Sequence, residues 1–165
     1  MRRSFPDERS LMKKDVSTRE LENTLHGVHP DDIGSMIAEL RGSFADENGG
    51  FQGYVRSVID AHGYKQVEVF RRARVPERYG YKLLSGEKHT SQRDTLIRIL
   101  AAADMTKQEL QRALRLYGLP ELYARNKRDF AILAAIEGGK HDPDDIDEVL
   151  KKEGFAPLAP CGAED

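Results

Sequence analysis

Residues 67–100 read VEVFRRARVPERYGYKLLSGEKHTSQRDTLIRIL, and this stretch determines the predicted fold. A short basic helix is followed by a tight connection and by a second short helix, which Pro76 begins and which ends near Ser85. Gly86 can end that helix because glycine readily adopts a left-handed backbone conformation. A longer apolar helix then covers about 91–103. Two short helices around a turn, with Arg, Lys and Tyr on the second, are typical of a helix-turn-helix nucleic-acid reader.

The sequence on both sides of this stretch predicts further helices. Thr106 and Glu109 have the spacing of a capping box, in which each side chain bonds the other residue's amide. Asp142 before Pro143 predicts the start of a last helix. The apolar face of a first core helix is formed by Phe51, Tyr54, Val55, Val58 and Ile59. No stretch alternates apolar and polar residues for long, so the predicted fold class is all α.

Composition divides the chain into segments. The polar start predicts a flexible lead, and the sequence ADENGG at 45–50 reads as a connector. The single cysteine, Cys161, is interpreted as an unstructured thiol. The predicted segments are a flexible lead (1–16), an N-terminal helical appendage with helices over 18–26 and 30–44 (17–50), a helix-turn-helix core (51–104), a C-terminal helical extension (105–158) and a tail (159–165).

The net charge of −2 is distributed unevenly along the chain. Residues 1–50 hold 7 Lys or Arg against 10 Asp or Glu, and residues 131–165 hold 3 against 9. Residues 51–130 hold 16 against 9, a net charge of +7 between two acidic flanks. A local positive field attracts phosphate whatever the total charge is, so the middle segment fits a nucleic-acid partner. The alternative interpretation is an Arg-rich helical surface that is simply solvated.

Other classes of protein fit the sequence poorly. No apolar run approaches the roughly 20 residues that span a bilayer, and the start MRRSFPDERS lacks a secretory core, so we expect a cytoplasmic protein without membrane contact. One cysteine and five scattered histidines predict neither a disulfide nor a metal site. A Gly-rich phosphate loop, a nucleophile elbow and an HExxH motif are all missing from the sequence. We therefore expect no catalytic activity and no cofactor.

Residues 51–158 resemble the helix-turn-helix regulators of the xenobiotic response element type, which are related to phage Cro and repressor proteins. The shared core motif is matched by Gln66, Val69, Val75, Leu83 and Gly86. The runs YGYKLLSGEKHTSQRDTL, LPELYARNKRDFAIL and EVLKKEGFAPL resemble a small bacterial subgroup with a Tyr-Gly-Tyr recognition segment. The resemblance implies a lambda-repressor-like helix-turn-helix bundle with extra N- and C-terminal helices.

The sequence departs from that family pattern at three places. Phe70 stands where a small residue is usual in the middle of the first helix of the motif. Leu84 and Ser85 replace the usual acidic residue before the closing glycine, and Thr90 stands where relatives tend to have proline. These changes leave the implied fold intact, but the family's DNA contacts correspond less closely to individual residues of this chain.

The resemblance implies that the helix from Pro76 to Ser85 enters the major groove of double-stranded DNA. Arg78 and Lys82 would then contact bases, with Glu77 and Tyr81 beside them. Gln66 would bond a phosphate at the start of the preceding helix. The remaining backbone contacts are assigned to Lys65, Lys88, His89 and Arg93.

Several residues near this helix have structural interpretations. Tyr79 and Tyr81 cannot share one helical face, and Tyr79 is the one expected to pack inward. Gly80 costs about 1 kcal/mol of helix propensity, which the close passage of another backbone would explain. Three cations of the preceding helix, Arg71, Arg72 and Arg74, are interpreted as a solvated face. Another basic cluster, Arg125, Lys127 and Arg128, is expected to pair with Asp129 or with the acidic last helix.

Together these features predict a sequence-specific transcriptional regulator that binds DNA as a homodimer. The candidate dimer surfaces are the acidic N-terminal helices and the C-terminal helix pair. The alternative is an adaptor in a bacterial signalling system, which keeps the helix-turn-helix fold, binds a protein partner and contacts DNA weakly or not at all.

Overall fold

The structure is a computed structural model that describes residues 18–40, 44 and 49–161. The described residues form helices, turns and loops without a strand, which confirms the predicted all-α class. The chain divides into two compact units, with the boundary between Asn48 and Gly49. The predicted flexible lead, 1–16, lies outside the described residues.

The N-terminal unit contains two short helices. Helix α1 covers Thr18–Leu25, and a 3-10 turn at Pro30–Asp32 leads into α2, Ile33–Glu39. The predicted extension of this second helix to residue 44 is wrong, because α2 ends at Glu39. Gly42 and Ser43 follow closely in the sequence, and both residue types have low helix propensity. The unit exposes large apolar side chains at Leu25, Ile33 and Ile37.

The second unit contains the described core. Its helices are α3 (Gly50–Ala61), α4 (Gln66–Ala73), α5 (Glu77–Ser85), α6 (Arg93–Ala102), α7 (Lys107–Tyr117), α8 (Lys127–Glu137) and α9 (Pro143–Lys152). Helix α6 is central, since every residue from Thr95 to Ala102 is buried. It packs against α4, α7 and α9, while α3 packs against α5 and α7. This packing fixes the positions of α4 and α5 on one side of the unit.

Local capping explains where the helices of the second unit begin. The predicted capping box of α7 is confirmed, because Glu109 N–H donates to Thr106 Oγ1 at 3.3 Å and Thr106 N–H donates to Glu109 Oε2 at 2.9 Å. The Asp142 cap of α9 is also confirmed, with Asp144 N–H donating to its carboxylate at 2.9 Å. Helix α8 begins at Lys127, because the side chain of Asn126 caps it by accepting a hydrogen bond from the Asp129 amide at 3.1 Å.

Helices α4 and α5 are joined by a three-residue turn from Arg74 to Pro76. Arg74 adopts a left-handed conformation with φ 57°, and the amide of Val75 donates to the Phe70 carbonyl at 3.0 Å. Pro76 is the residue before α5 rather than its first residue. Gly86 ends α5 with φ 77°, as predicted, and the carbonyl of Ser85 accepts a hydrogen bond from the Gln52 side chain.

The glycine inside α5 is explained by an aromatic ring and not by a backbone. A Cβ at Gly80 would lie 2.5 Å from the ring of Phe70, which is far inside van der Waals contact. The expectation of a passing backbone is therefore corrected. Phe70 and Gly80 are complementary, since the large residue on α4 occupies the space that a side chain on α5 would need. The missing side chain at Gly80 therefore makes room for Phe70, which stands where the resembled pattern has a small residue.

The residues after α9 are held against the body by Arg98. This buried guanidinium donates to the Leu158 carbonyl at 2.6 Å and to the Ala159 carbonyl at 2.9 Å, and it pairs with Asp147 at 3.2 Å. Cys161 is half-buried against the core, and burial raises the pKa of its thiol. The interpretation of Cys161 as an unstructured thiol is therefore wrong, because the tail is ordered through this residue.

Candidate nucleic-acid interface

An open groove with a cavity volume of about 580 Å³ runs beside α5 in the second unit. We call it the α5 groove. It is lined by Arg56, Gln66, Glu77, Arg78, Tyr81, Lys82, Ser85 and Glu87. Five of the nine predicted site residues are in this list, so residues from the first turn of α4 and from the outer side of α5 meet at one surface.

The packing of α5 decides which of its side chains reach the groove. Gly80, Leu83 and Leu84 face the core and are buried. Tyr79 is half-buried against the core and Tyr81 is 42% exposed, which confirms the expected division between the two tyrosines.

Tyr81 has a fixed position beside the groove. Its ring meets the Phe70 ring edge to face, with 5.0 Å between the ring centroids. The same phenylalanine that requires Gly80 therefore also orients Tyr81. The outer side of α5 is consequently a defined surface with an aromatic ring at its centre.

Arg56 and Arg78 bring positive charge to the groove without an ionic partner among the described residues. Both side chains are exposed, Arg56 from α3 and Arg78 from the first turn of α5. Lys82 is different, because its ammonium lies 3.1 Å from the carboxylate of Glu87. Glu77 has no cationic partner in the described part of the chain. The groove thus combines two unpaired guanidinium groups with two carboxylates, of which one is already bonded.

Three groove residues were not predicted from the sequence, Arg56, Ser85 and Glu87, and Arg56 is the only cation among them. It lies on α3, next to the buried Val55, and faces away from the core. The signal in the sequence was its isolation, since Arg56 is the only Lys or Arg between Gly50 and Ala61. A cation on the polar face of the first core helix could have been assigned to the site on that basis.

Gln66 and Lys65 lie at the start of α4. Gln66 is half-buried and lines the groove, while Lys65 is exposed and is not part of the lining. The Lys65 amide donates to Glu68 Oε2 at 2.8 Å, which satisfies one amide at this helix start. The predicted phosphate contact of Gln66 stays a prediction.

The three remaining predicted residues lie outside the groove lining and contact other side chains. The Lys88 ammonium is 4.9 Å from the centroid of the Tyr79 ring, and the His89 ring stacks on Tyr117 at 4.5 Å. Arg93 pairs with the buried Asp129 at 2.6 Å, so its charge is largely neutralised within the body. The structure does not bring these three residues together with the α5 groove.

One residue in each of two other basic clusters differs from its predicted role. Arg71 and Arg74 are exposed, as predicted, and Arg74 pairs with Asp144. Arg72 is half-buried and pairs with Asp104 at 3.1 Å, so it does not belong to the predicted solvated face. Arg128 was expected to pair with Asp129 or the last helix. It forms a two-pronged ion pair with Asp94 instead, at 2.8 and 3.1 Å, and Asp129 is already engaged by Arg93.

Two acidic residues illustrate how the body neutralises its own cations. Burial raises the pKa of Asp94, but hydrogen bonds from Arg128 and the Ala159 amide, with nearby positive charge, outweigh burial and lower it overall. At Asp104 burial acts in the same direction, and hydrogen bonds from Tyr64 and Arg72 again leave the pKa lowered. In both carboxylates these contacts favour the charged form.

No group of three or more His, Cys, Asp or Glu side chains in the described part of the chain is arranged to hold a metal ion. None of the described helices is long and apolar enough to cross a membrane. No protein-family model, curated protein or solved structure matches this chain. The resemblance to xenobiotic response element regulators, and the lambda-repressor-like arrangement it implies, therefore stay predictions.

Proposed function

We propose that this protein is a cytoplasmic, sequence-specific DNA-binding transcriptional regulator that reads the major groove with α5 and acts as a dimer. The observation that carries the proposal is the α5 groove. Arg56 and Arg78, the two groove arginines without an ionic partner among the described residues, border the outer side of α5. Such an arrangement supplies both a base-reading side chain and phosphate attraction at one surface.

The chemistry of each side chain suggests its role. Arg78, in the first turn of α5, has the planar guanidinium that bonds O6 and N7 of guanine together. Glu77 beside it can accept a hydrogen bond from the amino group of cytosine. Tyr81 offers an aromatic ring for apolar contact with a thymine methyl group. We assign phosphate contacts to Arg56 and Gln66, which come from other helices and border the groove.

The first test is binding to DNA as a function of salt. Fluorescence anisotropy should show binding to labelled genomic and random duplexes at low salt. The affinity should fall steeply as salt rises, because the protein's cationic side chains displace counterions from the DNA phosphates. Selection of bound sites from a random pool should then return a preferred half-site and its spacing. Absence of binding at the lowest salt concentration would remove this proposal.

Arg78→Ala tests the assigned base contact. It should lose about 1 to 3 kcal/mol of binding free energy at one base pair of the selected site and relax the preference there. Arg125→Ala is the matched control, because Arg125 is also exposed and has no ionic partner in the described residues but does not line the groove. An unchanged base preference in Arg78→Ala would exclude the residue from this role.

A second candidate function is supported by the carboxylates. Glu77 and Glu87 line the same groove, and Glu87 neutralises Lys82, which weakens the attraction for phosphate. A groove of mixed charge beside Tyr81 also suits a peptide of a signalling protein. An adaptor of this kind would bind neither genomic nor random DNA at low salt, so the same titration separates the two functions.

A further inference from the structure

The exposed side of α8 has an unusual composition for a helix that faces water. Its residues at the exposed positions are Lys127, Phe130, Ala134 and Glu137, and we call them the α8 outer face. The side chain of Phe130 is 59% exposed. A solvated helix normally carries polar residues on its outer side, whereas two of these four are apolar. The centre of the α8 outer face therefore has the composition of a contact surface.

The order of these residues is symmetric about the middle of the helix. A lysine begins the face, a glutamate ends it, and Phe130 and Ala134 lie between them. Lys127 and Glu137 each lie five positions from Ile132 in the sequence, and Phe130 and Ala134 each lie two positions from it. A second α8 packed antiparallel across this centre would therefore place Lys127 opposite Glu137 and Phe130 opposite Ala134.

Each pairing is physically favourable in that arrangement. Opposite charges meet at both ends of the two helices, and the antiparallel helix dipoles place each lysine near a negative C-terminus. The large ring of Phe130 meets the small side chain of Ala134, which permits close approach. Two-fold symmetry repeats every contact, as expected for an interface between identical chains.

The surroundings of the face are compatible with such a contact. Tyr123, which precedes α8, is a further exposed aromatic residue, with 63% of its surface accessible. Its position is fixed because its amide donates to the buried Asp129 at 2.9 Å. Glu137 lies 3.4 Å from Lys107 of its own chain, and both side chains are largely exposed. Lys127 has no ionic partner among the described residues.

We propose that the α8 outer face is an antiparallel two-fold interface with a second copy of this chain. The occupant follows from the self-complementary charge order, which a different partner would not require. This inference rests on the dimer in the proposed function and names its interface. Because the contact contains no DNA, loss of the dimer and loss of DNA binding are measured separately.

Sedimentation velocity of the full chain without DNA gives the first test. The wild type should form a dimer in a concentration-dependent manner. Phe130→Glu should weaken dimerisation about 100-fold or more, because it places a charge at the centre of the contact. Ile37→Glu is the control, since Ile37 is a similarly exposed apolar residue on the N-terminal unit and should leave the dimer intact.

Two results would overturn the proposal. One is a wild type that stays monomeric at all concentrations. The other is loss of the dimer in Ile37→Glu but not in Phe130→Glu, which would assign the interface to the N-terminal helices. Circular dichroism of each variant shows whether the protein remains folded, as expected for substitutions at exposed positions.

Charge reversal tests the antiparallel register. Lys127→Glu alone places two glutamates opposite each other, and Glu137→Lys alone does the same with lysines. Each variant should dimerise about tenfold more weakly than the wild type. A mixture of the two variants should form a heterodimer, because both charge pairs are then complementary. With one variant labelled uniformly with 15N, native mass spectrometry distinguishes this result from unbiased exchange or undiminished homodimers, either of which would contradict the register.

Discussion

Two sets of arginines in the second unit have opposite environments. Arg93, Arg98 and Arg128 lie at the junction of α6, α8 and α9, and each pairs with a carboxylate from a distant part of the chain. Arg56 and Arg78 lie at the α5 groove, and neither has such a partner among the described residues. The positive charge of residues 51–130 is therefore not one continuous field. The ion pairs remove part of it, and two of the arginines that stay unpaired among the described residues, Arg56 and Arg78, border the groove.

The comparison shows why a charge count along the sequence overstates a basic surface. The acidic partners Asp94 and Asp129 belong to the same positive segment as their arginines, and Asp147 comes from the acidic C-terminal flank. Burial of a guanidinium requires that its charge be balanced nearby. Exposure imposes no such requirement, so an exposed arginine without a partner is free to meet a ligand.

The largest expected effect is on the buried group. Arg98→Ala should reduce the free energy of unfolding by about 3 to 5 kcal/mol, because it leaves the mostly buried carboxylate of Asp147 and two carbonyl groups without their donor. Urea denaturation measures this change. Arg125→Ala, at an exposed position, should change stability by less than about 0.5 kcal/mol. If the two variants were equally stable, the assignment of Arg98 to a structural role would be wrong.

A smaller effect is expected beneath the groove. Gly80→Ala should cost about 1 to 3 kcal/mol of stability, because its Cβ would collide with the ring of Phe70. Phe70→Ala should itself destabilise the protein by about 3 to 5 kcal/mol through loss of core packing.

The double variant decides whether this collision is the cause. In the Phe70→Ala background the cost of Gly80→Ala should disappear or reverse, since alanine has the higher helix propensity. Thermal denaturation of the four proteins completes the cycle. Additive costs would show that the ring is not what excludes a side chain at position 80.

Arg56→Ala should act on binding alone. It should lower the affinity for selected and random DNA alike by about 1 kcal/mol and reduce the salt slope by about one, as loss of a phosphate contact does. The free energy of unfolding should stay within about 0.5 kcal/mol of the wild type. Anisotropy at several salt concentrations measures the slope. An unaltered slope would show that Arg56 does not contact a phosphate.

The smallest effect concerns pH and the Asp94–Arg128 pair. The folded-state pKa of Asp94 is lowered, so the pair stabilises the protein above the unfolded pKa of about 3.9. This stability is lost as pH falls through the lower folded pKa. Asp94→Asn should therefore be less stable than the wild type at pH 7, and the difference should narrow below about pH 4. A difference that is constant across this range would show that proton linkage at Asp94 is absent.

The sequence predicted most reliably what depends on neighbours in the chain. The cap of α9 at Asp142 and the capping box of α7 could be identified because each bond joins residues two or three positions apart. The outward side of α5 could also be predicted, since helical periodicity separates Tyr79 from Tyr81. The all-α class follows from many such local signals acting together.

What depended on distant contacts could not be predicted in this way. Arg93 and Asp129 are 36 positions apart, and nothing local indicates that their side chains meet. Phe70 and Gly80 were each identified as unusual, but the reason emerged only from the packing of α4 against α5. Arg56 reaches the groove because α3 packs beside α5, and that arrangement is set by the whole core.

The contacts of Arg98 with the carbonyl groups of Leu158 and Ala159 have a practical consequence for handling the protein. A bulky tag or a surface attachment close behind Ala159 would pull on the same backbone that shields a buried guanidinium. Immobilisation for binding measurements should therefore use an engineered cysteine outside this segment. The half-buried Cys161 would then be replaced by serine so that labelling occurs at a single thiol.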